Sequence, residues 1–212
     1  MGKKKNERFV TPAGKASYPY LTNPDTKFNP DGEYKVKLIL PETEAKELVD
    51  LIDAKMEESM AKAKKDNPKV KKIKTADVPY SSVEDDEGDE TGEIGFSFKQ
   101  KAIITKKDGE KINMKVYLFD TKNKPVNIKG YVGGGSTIKV AFEIIPFYTK
   151  LIGAGVSLRL RAVQILDLVT GSSDGSNFGF GEEEDGFEGQ PLDDVAEDGD
   201  PGPGDEDAPD DF

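Results

Sequence analysis

The stretch TIKVAFEII, residues 137–145, alternates apolar with mostly polar side chains. Successive side chains of a β-strand point to opposite faces, so a period of two separates a core face from an accessible face. The accessible face carries Lys139, Ala141 and Glu143. The core face consists of Ile138, Val140, Phe142 and Ile144. The stretch therefore predicts a half-buried strand.

Four other segments show the same alternation and predict four more strands. They are YKVKLIL (34–40), IGFSFKQKA (94–102), INMKVYLF (112–119) and VSLRLRA (156–162). In the third of these segments, the period of two places Val116 and Leu118 inside and Tyr117 outside. A sixth segment, RFVTPAGKASYPYL (8–21), contains Pro12 and Pro19. Since proline cannot donate a ladder hydrogen bond, we expect this segment only at a sheet edge.

One segment, residues 42–65, has apolar residues at helical spacing and charge on the opposite side. Pro41 precedes it and Asn67-Pro68 ends it. Its apolar stripe is Ala45, Leu48, Leu51, Ile52, Met56 and Met60. One helix among about five antiparallel strands suggests a mainly β chain, a small barrel or sandwich with one inserted or capping α-helix. The OB-fold five-stranded antiparallel barrel is the commonest such fold, and we predict it here. Residues 66–91 are expected to form a long loop.

Charge divides the chain into two parts. Residues 1–161 contain all 30 bases against 24 acids, a net charge of +6, whereas residues 162–212 contain 17 acids and no base. The last part is rich in Gly, Asp, Glu and Pro and has too few apolar side chains to offset the entropy of ordering. We therefore predict a folded domain over 1–170 and a disordered acidic tail over 171–212, which ends in Phe212.

The composition excludes several kinds of chemistry. The chain has no Cys and no His, so it cannot form a disulfide framework, a thiol nucleophile, a Ser-His-Asp triad or an imidazole metal ligand. No apolar run approaches the length of a membrane span, and the residues after Met1 do not resemble a signal peptide. We expect an intracellular protein that is not an enzyme and needs no cofactor.

Two short motifs favour structural roles. GGGS (133–136) lacks the lysine of a phosphate-binding loop, so it is better explained as the tight start of a strand. EDDEGDE (84–90) has acids that could bind a divalent ion, but it lacks the spacing of a calcium loop. A solvated loop without metal is the favoured interpretation.

The accessible faces of the strands carry the functional signal, because cations alternate there with aromatic rings. Lys and Arg neutralise phosphates, and exposed rings stack on unpaired bases, which is the combination that single-stranded nucleic acid requires. A solvated face with no ligand is the alternative. The candidate DNA-binding residues are Lys35, Lys37, Lys99, Lys101, Lys115, Tyr117, Phe119, Lys139, Arg159, Arg161, Tyr18 and Tyr20. Further rings that either join this surface or pack at the barrel rim are Phe28, Tyr131, Phe147 and Tyr148.

The order of these features resembles that of one protein family. The matching stretches are MGKKK, YPYLTNPD, GEYKVKLILP before the helix, FSFKQKA, INMKVYLFD, GGGSTIKVAFEIIPF and an acidic tail that ends in DDF. They resemble the single-stranded DNA-binding proteins of short-tailed (T-seven-like) bacteriophages over essentially the whole chain.

The resemblance implies an OB-fold core, binding of single-stranded DNA without sequence specificity, and a homodimer. It implies a role in phage DNA replication, recombination, repair and strand annealing in the cytoplasm of the infected bacterial host. It also implies that the tail docks on the phage DNA polymerase and helicase-primase. The tail residues expected to contact such partners are Asp205, Glu206, Asp207, Asp210, Asp211 and Phe212.

The tail has a second expected role, because it is a polyanion tethered to a basic body. Its high local concentration lets it occupy the DNA groove until DNA displaces it. Phe212 then offers a partner one apolar anchor beside the acids. Solubility alone would explain the acids but not the terminal ring.

Two other function classes remain open from the residues alone. The first is an acidic DNA-mimic or inhibitor protein, which would have no DNA affinity even without its tail. The second is a carboxylate-metal phosphodiesterase, which would need acids clustered on the strands. Most acids of the body instead fall in the predicted helix and loops.

Overall fold

A computed structural model of the chain describes residues 6–106 and 108–170. The described residues form ten strands and one helix. The elements are β1 Arg8–Val10, β2 Gly14–Asp25, β3 Glu33–Pro41, α1 Glu42–Asp66, β4 Tyr80–Glu84, β5 Glu90–Lys101, β6 Ile103–Thr105, β7 Lys111–Asn113, β8 Tyr117–Phe119, β9 Thr137–Thr149 and β10 Gly153–Asp167. The predicted tail over 171–212 and the N-terminal lysines lie outside the described residues.

Five strands close into a barrel in the order β2, β3, β5, β10, β9 and back to β2. Four of these five pairings are antiparallel. The β5–β10 pairing is parallel and short, because only residues 98–99 of β5 pair with 158–159 of β10. This strand order is that of an OB-fold barrel. The predicted mainly β barrel with one helix is confirmed, with one parallel seam in place of a fully antiparallel ring.

The barrel interior is formed by the apolar faces that the alternation predicted. Phe96, Phe98 and Phe142 are fully buried, and the last two rings meet edge to face with centroids 5.0 Å apart. The other fully buried side chains from the alternating segments are Val36, Leu38, Leu40, Ile138, Val140, Leu158 and Leu160, none more than 2% exposed. Because these faces are buried, the lysines and arginines that alternate with them point outward.

The prediction of a single strand over 112–119 is wrong, because the segment forms two strands. Its first half is β7, which forms a separate two-stranded sheet with β6. Its second half is β8, which pairs with β10. Between them the Met114 amide donates to the Ala102 carbonyl. The alternation of apolar and polar side chains shows which side of a strand faces the core, but it does not show which strand is the partner. The partner therefore changes within 112–119 while the alternation continues.

The expected edge strand near the N-terminus is two strands. The short β1 lies at an edge beside β9, but β2 belongs to the closed ring. Pro19 is tolerated in β2 because the register to β3 shifts there, between the pairs Ser17–Lys37 and Tyr20–Lys35. Such a bulge removes the need for a ladder hydrogen bond.

The helix α1 has almost the predicted bounds and packs its apolar stripe on the barrel. Its buried Ser59 donates a hydrogen bond of 2.8 Å to the Gly155 carbonyl of β10.

The predicted loop over 66–91 is only partly a loop, since β4 pairs with the first half of β5. The Tyr80 hydroxyl of β4 donates to Asp53 of α1 at 2.7 Å. The pKa of Tyr80 is raised to about 12, most strongly by burial and next by that hydrogen bond.

The glycine motif has the structural role that was favoured, and the acidic motif forms the turn between two strands. The Gly133 position lies against the Val169 carbonyl, where a side chain would not fit. The buried Ser136 hydroxyl donates to the Gly133 carbonyl at 2.8 Å. In the acidic stretch, the Asp85 carboxylate accepts hydrogen bonds from the Glu87 and Asp89 amides and so closes the β4–β5 turn.

Candidate functional site

Four of the predicted face residues are aligned across four neighbouring strands. Tyr20 on β2 pairs with Lys35 on β3. Lys35 pairs in turn with Lys99 on β5, which pairs with Arg159 on β10. Directly paired residues point to the same face of a sheet. They form what we call the cross-strand row, which extends about 14 Å over the outside of the barrel at ordinary strand spacing.

A groove of about 560 Å³ lies over the seam between β5 and β10. The cations that line it are Lys99, Lys101 and Arg159. Polar side chains of both strands, such as Ser97 and Ser157, lie between them. The groove exists because β5 pairs with β10 over two residues only and with β4 further along the same edge.

Lys35 is not a free cation. It forms an ion pair with Asp25 of β2 and lies over the Tyr20 ring, 4.9 Å from its centroid. The pKa of Asp25 is lowered, most strongly by the hydrogen bond from Lys35 and next by the one from the Lys27 amide. This pair fixes the Lys35 side chain against an aromatic face and reduces the charge that it offers to a ligand.

The arginines of β10 also have an acidic partner, which the sequence reasoning assigned no role. Glu143 of β9 is only 7% exposed and lies beside Arg159 and Arg161. Lys99 has a looser partner, because its ammonium lies 3.9 Å from Glu33. Glu143 is an acid on the face that also carries Lys139, Arg159 and Arg161, which is the signal in the sequence that could have identified it.

Two aromatic residues extend the surface along β10. Tyr117 and Phe119 of β8 pair with Ala162 and Gln164. Tyr117 is 65% exposed while Leu118 is 8% exposed, as the alternation predicted. A register shift between Leu160 and Ala162 brings these positions to the outer face. The surface therefore continues from the cross-strand row towards β8.

The bulge in β2 exposes a further ring. Tyr18 is 80% exposed and has a φ of 46°, a left-handed conformation that a tyrosine rarely adopts. Tyr20 follows Pro19 and is part of the cross-strand row. Backbone strain of this kind often marks a functional position.

Other predicted residues are less closely grouped. Lys37 lies along Gly95 with its aliphatic stem. Lys115 is exposed between β7 and β8, outside the strands. Lys139 of β9 is paired with Gln164 of β10 and is not part of the cross-strand row. Phe28 and Tyr131 are exposed outside the strands, whereas Phe147 and Tyr148 on β9 are half-buried. The predicted tail contacts, 205–212, are outside the described part of the chain.

Over residues 6–106 and 108–170, no three acidic side chains are grouped as a metal site would require. The only helix in the same ranges lacks the long apolar stretch needed to cross a bilayer.

The family model for the single-stranded DNA-binding protein of bacteriophage T7 matches residues 13–168. The chain belongs to this family. The match includes the whole barrel, the helix and every residue of the cross-strand row. The family resemblance predicted from the sequence is confirmed.

Named relatives agree with this assignment. The single-stranded DNA-binding protein of Enterobacteria phage T3 is 32% identical over 80% of this chain and 79% of its own length. That of Escherichia phage T7 is 31% identical over 83% of this chain and 79% of its own length.

Solved structures share the fold. The crystal structure of gp2.5, a single-stranded DNA-binding protein encoded by bacteriophage T7, matches with a TM-score of 0.67 and 27% identity, covering 88% of this chain and all of that one. The single-stranded DNA-binding protein of bacteriophage Enc34 in complex with single-stranded DNA matches with a TM-score of 0.56, over 80% of this chain and 95% of that one. At 15% identity, the second likeness concerns the fold alone.

Proposed function

We propose that this protein binds single-stranded DNA without sequence specificity and does not catalyse a reaction. The observation that carries the proposal is the cross-strand row, in which cations and a tyrosine from four strands converge beside a groove. The names of its relatives in phages T3 and T7 support the same ligand.

The arrangement explains both affinity and lack of sequence preference. Lys99, Lys101 and Arg159 contact the phosphates, which are the same at every nucleotide. Tyr20, Tyr117 and Tyr18 stack on bases, and every base has a face on which a ring can stack. Affinity then depends on strand length and salt more than on sequence.

Resemblance to the family and the charge of the tail support finer roles. We propose that the protein acts in phage DNA replication, recombination, repair and strand annealing, in the cytoplasm of the infected host. It does so as a homodimer. The segment 171–212 competes with DNA for the basic face, and its acids with Phe212 bind the phage DNA polymerase and helicase-primase.

A titration that compares oligo-dT with a duplex of the same length tests the proposed function. The single strand should bind far more tightly, because a duplex hides the base faces on which the tyrosines stack. Equal affinity for both would contradict base stacking, and the absence of binding to either would contradict the function itself.

The Tyr117→Ala substitution should weaken oligo-dT binding by about 1–3 kcal/mol, the usual contribution of one stacked base. Because the Tyr117 side chain is largely exposed, the thermal unfolding midpoint should hardly change. Fluorescence titration and a melting curve on the same sample give both results. Unchanged affinity would remove Tyr117 from the binding surface.

Deletion of residues 171–212 removes 16 of the 17 acids beyond Arg161. Affinity for oligo-dT should rise, and most at low salt, because salt screens the competing tail. Deletion of Phe212 alone leaves every acidic side chain in place. It should leave DNA affinity nearly unchanged and instead weaken polymerase binding by about 2 kcal/mol.

Titrations with DNA and with polymerase separate the two roles of the tail. If deletion of Phe212 alone tightens DNA binding as much as deletion of the whole tail, the ring blocks the groove and does not anchor a partner.

A further inference from the structure

Glu143 is a buried carboxylate within the cationic surface. Three guanidinium groups surround it, with nitrogen–oxygen distances of 3.7 Å to Arg8, 3.7 Å to Arg159 and 3.3 Å to Arg161. Asn6 adds a hydrogen bond of 3.2 Å to one carboxylate oxygen. An acid in this position opposes a polyanionic ligand, so its presence there needs an explanation.

The contacts leave the arginines available to a second anion. Each guanidinium has five N–H donors. The closest atom to the carboxylate is a single nitrogen in each case, Nε of Arg8 and Arg161 and Nη1 of Arg159. One carboxylate among three arginines leaves a local charge of +2. The cluster therefore keeps its attraction for phosphate while the carboxylate reduces repulsion between the arginines.

The cluster also has a fixed location in the fold. Glu143 pairs across strands with Arg159 on one side and Arg8 on the other. Arg161 lies at the register shift between Leu160 and Ala162 of β10, and its side chain contacts the Glu143 carboxylate. A carboxylate shared by three arginines of two strands restricts the rotamers of long side chains that would otherwise be ordered only when the ligand binds.

We propose that Glu143 is a positioning residue for single-stranded DNA binding: it holds Arg159 and Arg161 at a set spacing to receive phosphates. This proposal rests on the proposed function. It has an unusual consequence, because removal of a negative charge from the DNA-binding face should weaken the binding of DNA. Simple electrostatics requires the opposite sign, since a more positive surface attracts a polyanion more strongly.

Glu33 provides a matched control. It lies in the groove, and its carboxylate is 3.9 Å from Lys99, without a cluster of arginines around it. Glu33→Gln and Glu143→Gln each remove one negative charge and change the side-chain shape very little. The first should tighten oligo-dT binding about threefold at low salt. The second should weaken it about tenfold.

The experiment is an oligo-dT titration of the full chain and these two variants, with a thermal unfolding curve for each. Opposite signs for the two variants support the positioning role. Tightening by Glu143→Gln to the same extent as by Glu33→Gln would overturn it. Failure of the unsubstituted chain to bind oligo-dT would instead contradict the proposed function, so the two failures are distinguishable.

A second background separates positioning from damage to the fold. In the Arg159→Gln, Arg161→Gln double variant, the two arginines that Glu143 is proposed to position are absent, so adding Glu143→Gln should leave affinity unchanged or raise it. If the tenfold loss persists in that background, Glu143 acts through the general structure of β9, and the positioning role is wrong.

Discussion

Replacement of Phe98 by alanine should lower the free energy of unfolding by about 3–5 kcal/mol, as is usual when a large aromatic side chain leaves a buried cavity. Phe98 is fully buried and packs edge to face on Phe142 of β9, a strand that does not pair with β5. The substitution removes that contact and leaves space that the closed ring of strands cannot easily fill. Urea denaturation followed by circular dichroism measures the change.

The control for Phe98→Ala is Phe28→Ala. Phe28 is 87% exposed in the β2–β3 connection, where Lys27 lies 5.7 Å from its ring centroid. Its removal should change stability by well under about 1 kcal/mol, as for other exposed positions. Similar losses for both variants would mean that Phe98 does not lie in the core, and the assignment of the two faces of β5 would be wrong.

Neutralising two cations of the groove, in the Lys99→Gln, Arg159→Gln double variant, should weaken oligo-dT binding about 25-fold at 0.1 M salt. This follows if each cation neutralises one phosphate of a single strand, at a salt dependence of about 0.7 per phosphate. Stability should change little, since both side chains are partly or largely exposed and Glu143 keeps Arg8 and Arg161 as partners.

A variant with the same charge change outside the groove provides the control. Lys46 and Lys64 are exposed on α1, so Lys46→Gln, Lys64→Gln lowers the net charge equally. Charges far from the ligand are screened at 0.1 M salt, and affinity should fall less than about twofold. Equal losses in the two double variants would show that net charge, and not the groove, drives binding.

The inside and outside of the strands could be predicted because burial follows the pattern of side chains directly. Val156, Leu158 and Leu160 are buried as the alternation required. The same pattern contains a signal that was not used, since the apolar positions continue at Val163 and Ile165, out of phase with those before. This change of phase corresponds to the register shift in β10.

Strand partners could not be predicted in the same way, because alternation contains no information about the neighbour. The division of residues 112–119 between two sheets depends on contacts distant in sequence, such as Leu118 with Val163. The ion pairs of the site are distant for the same reason. Asp25 and Glu143 were visible as acids, but only the register places them beside Lys35 and the arginines.

The most direct test of the central claim, that the groove cations of the cross-strand row bind DNA phosphates, is the salt dependence of oligo-dT affinity. The logarithm of affinity should fall linearly with the logarithm of salt concentration for the unsubstituted chain. In Lys99→Gln, Arg159→Gln the slope should become shallower by about 1.4, since two phosphates are no longer neutralised. An unchanged slope in that variant would contradict the claim.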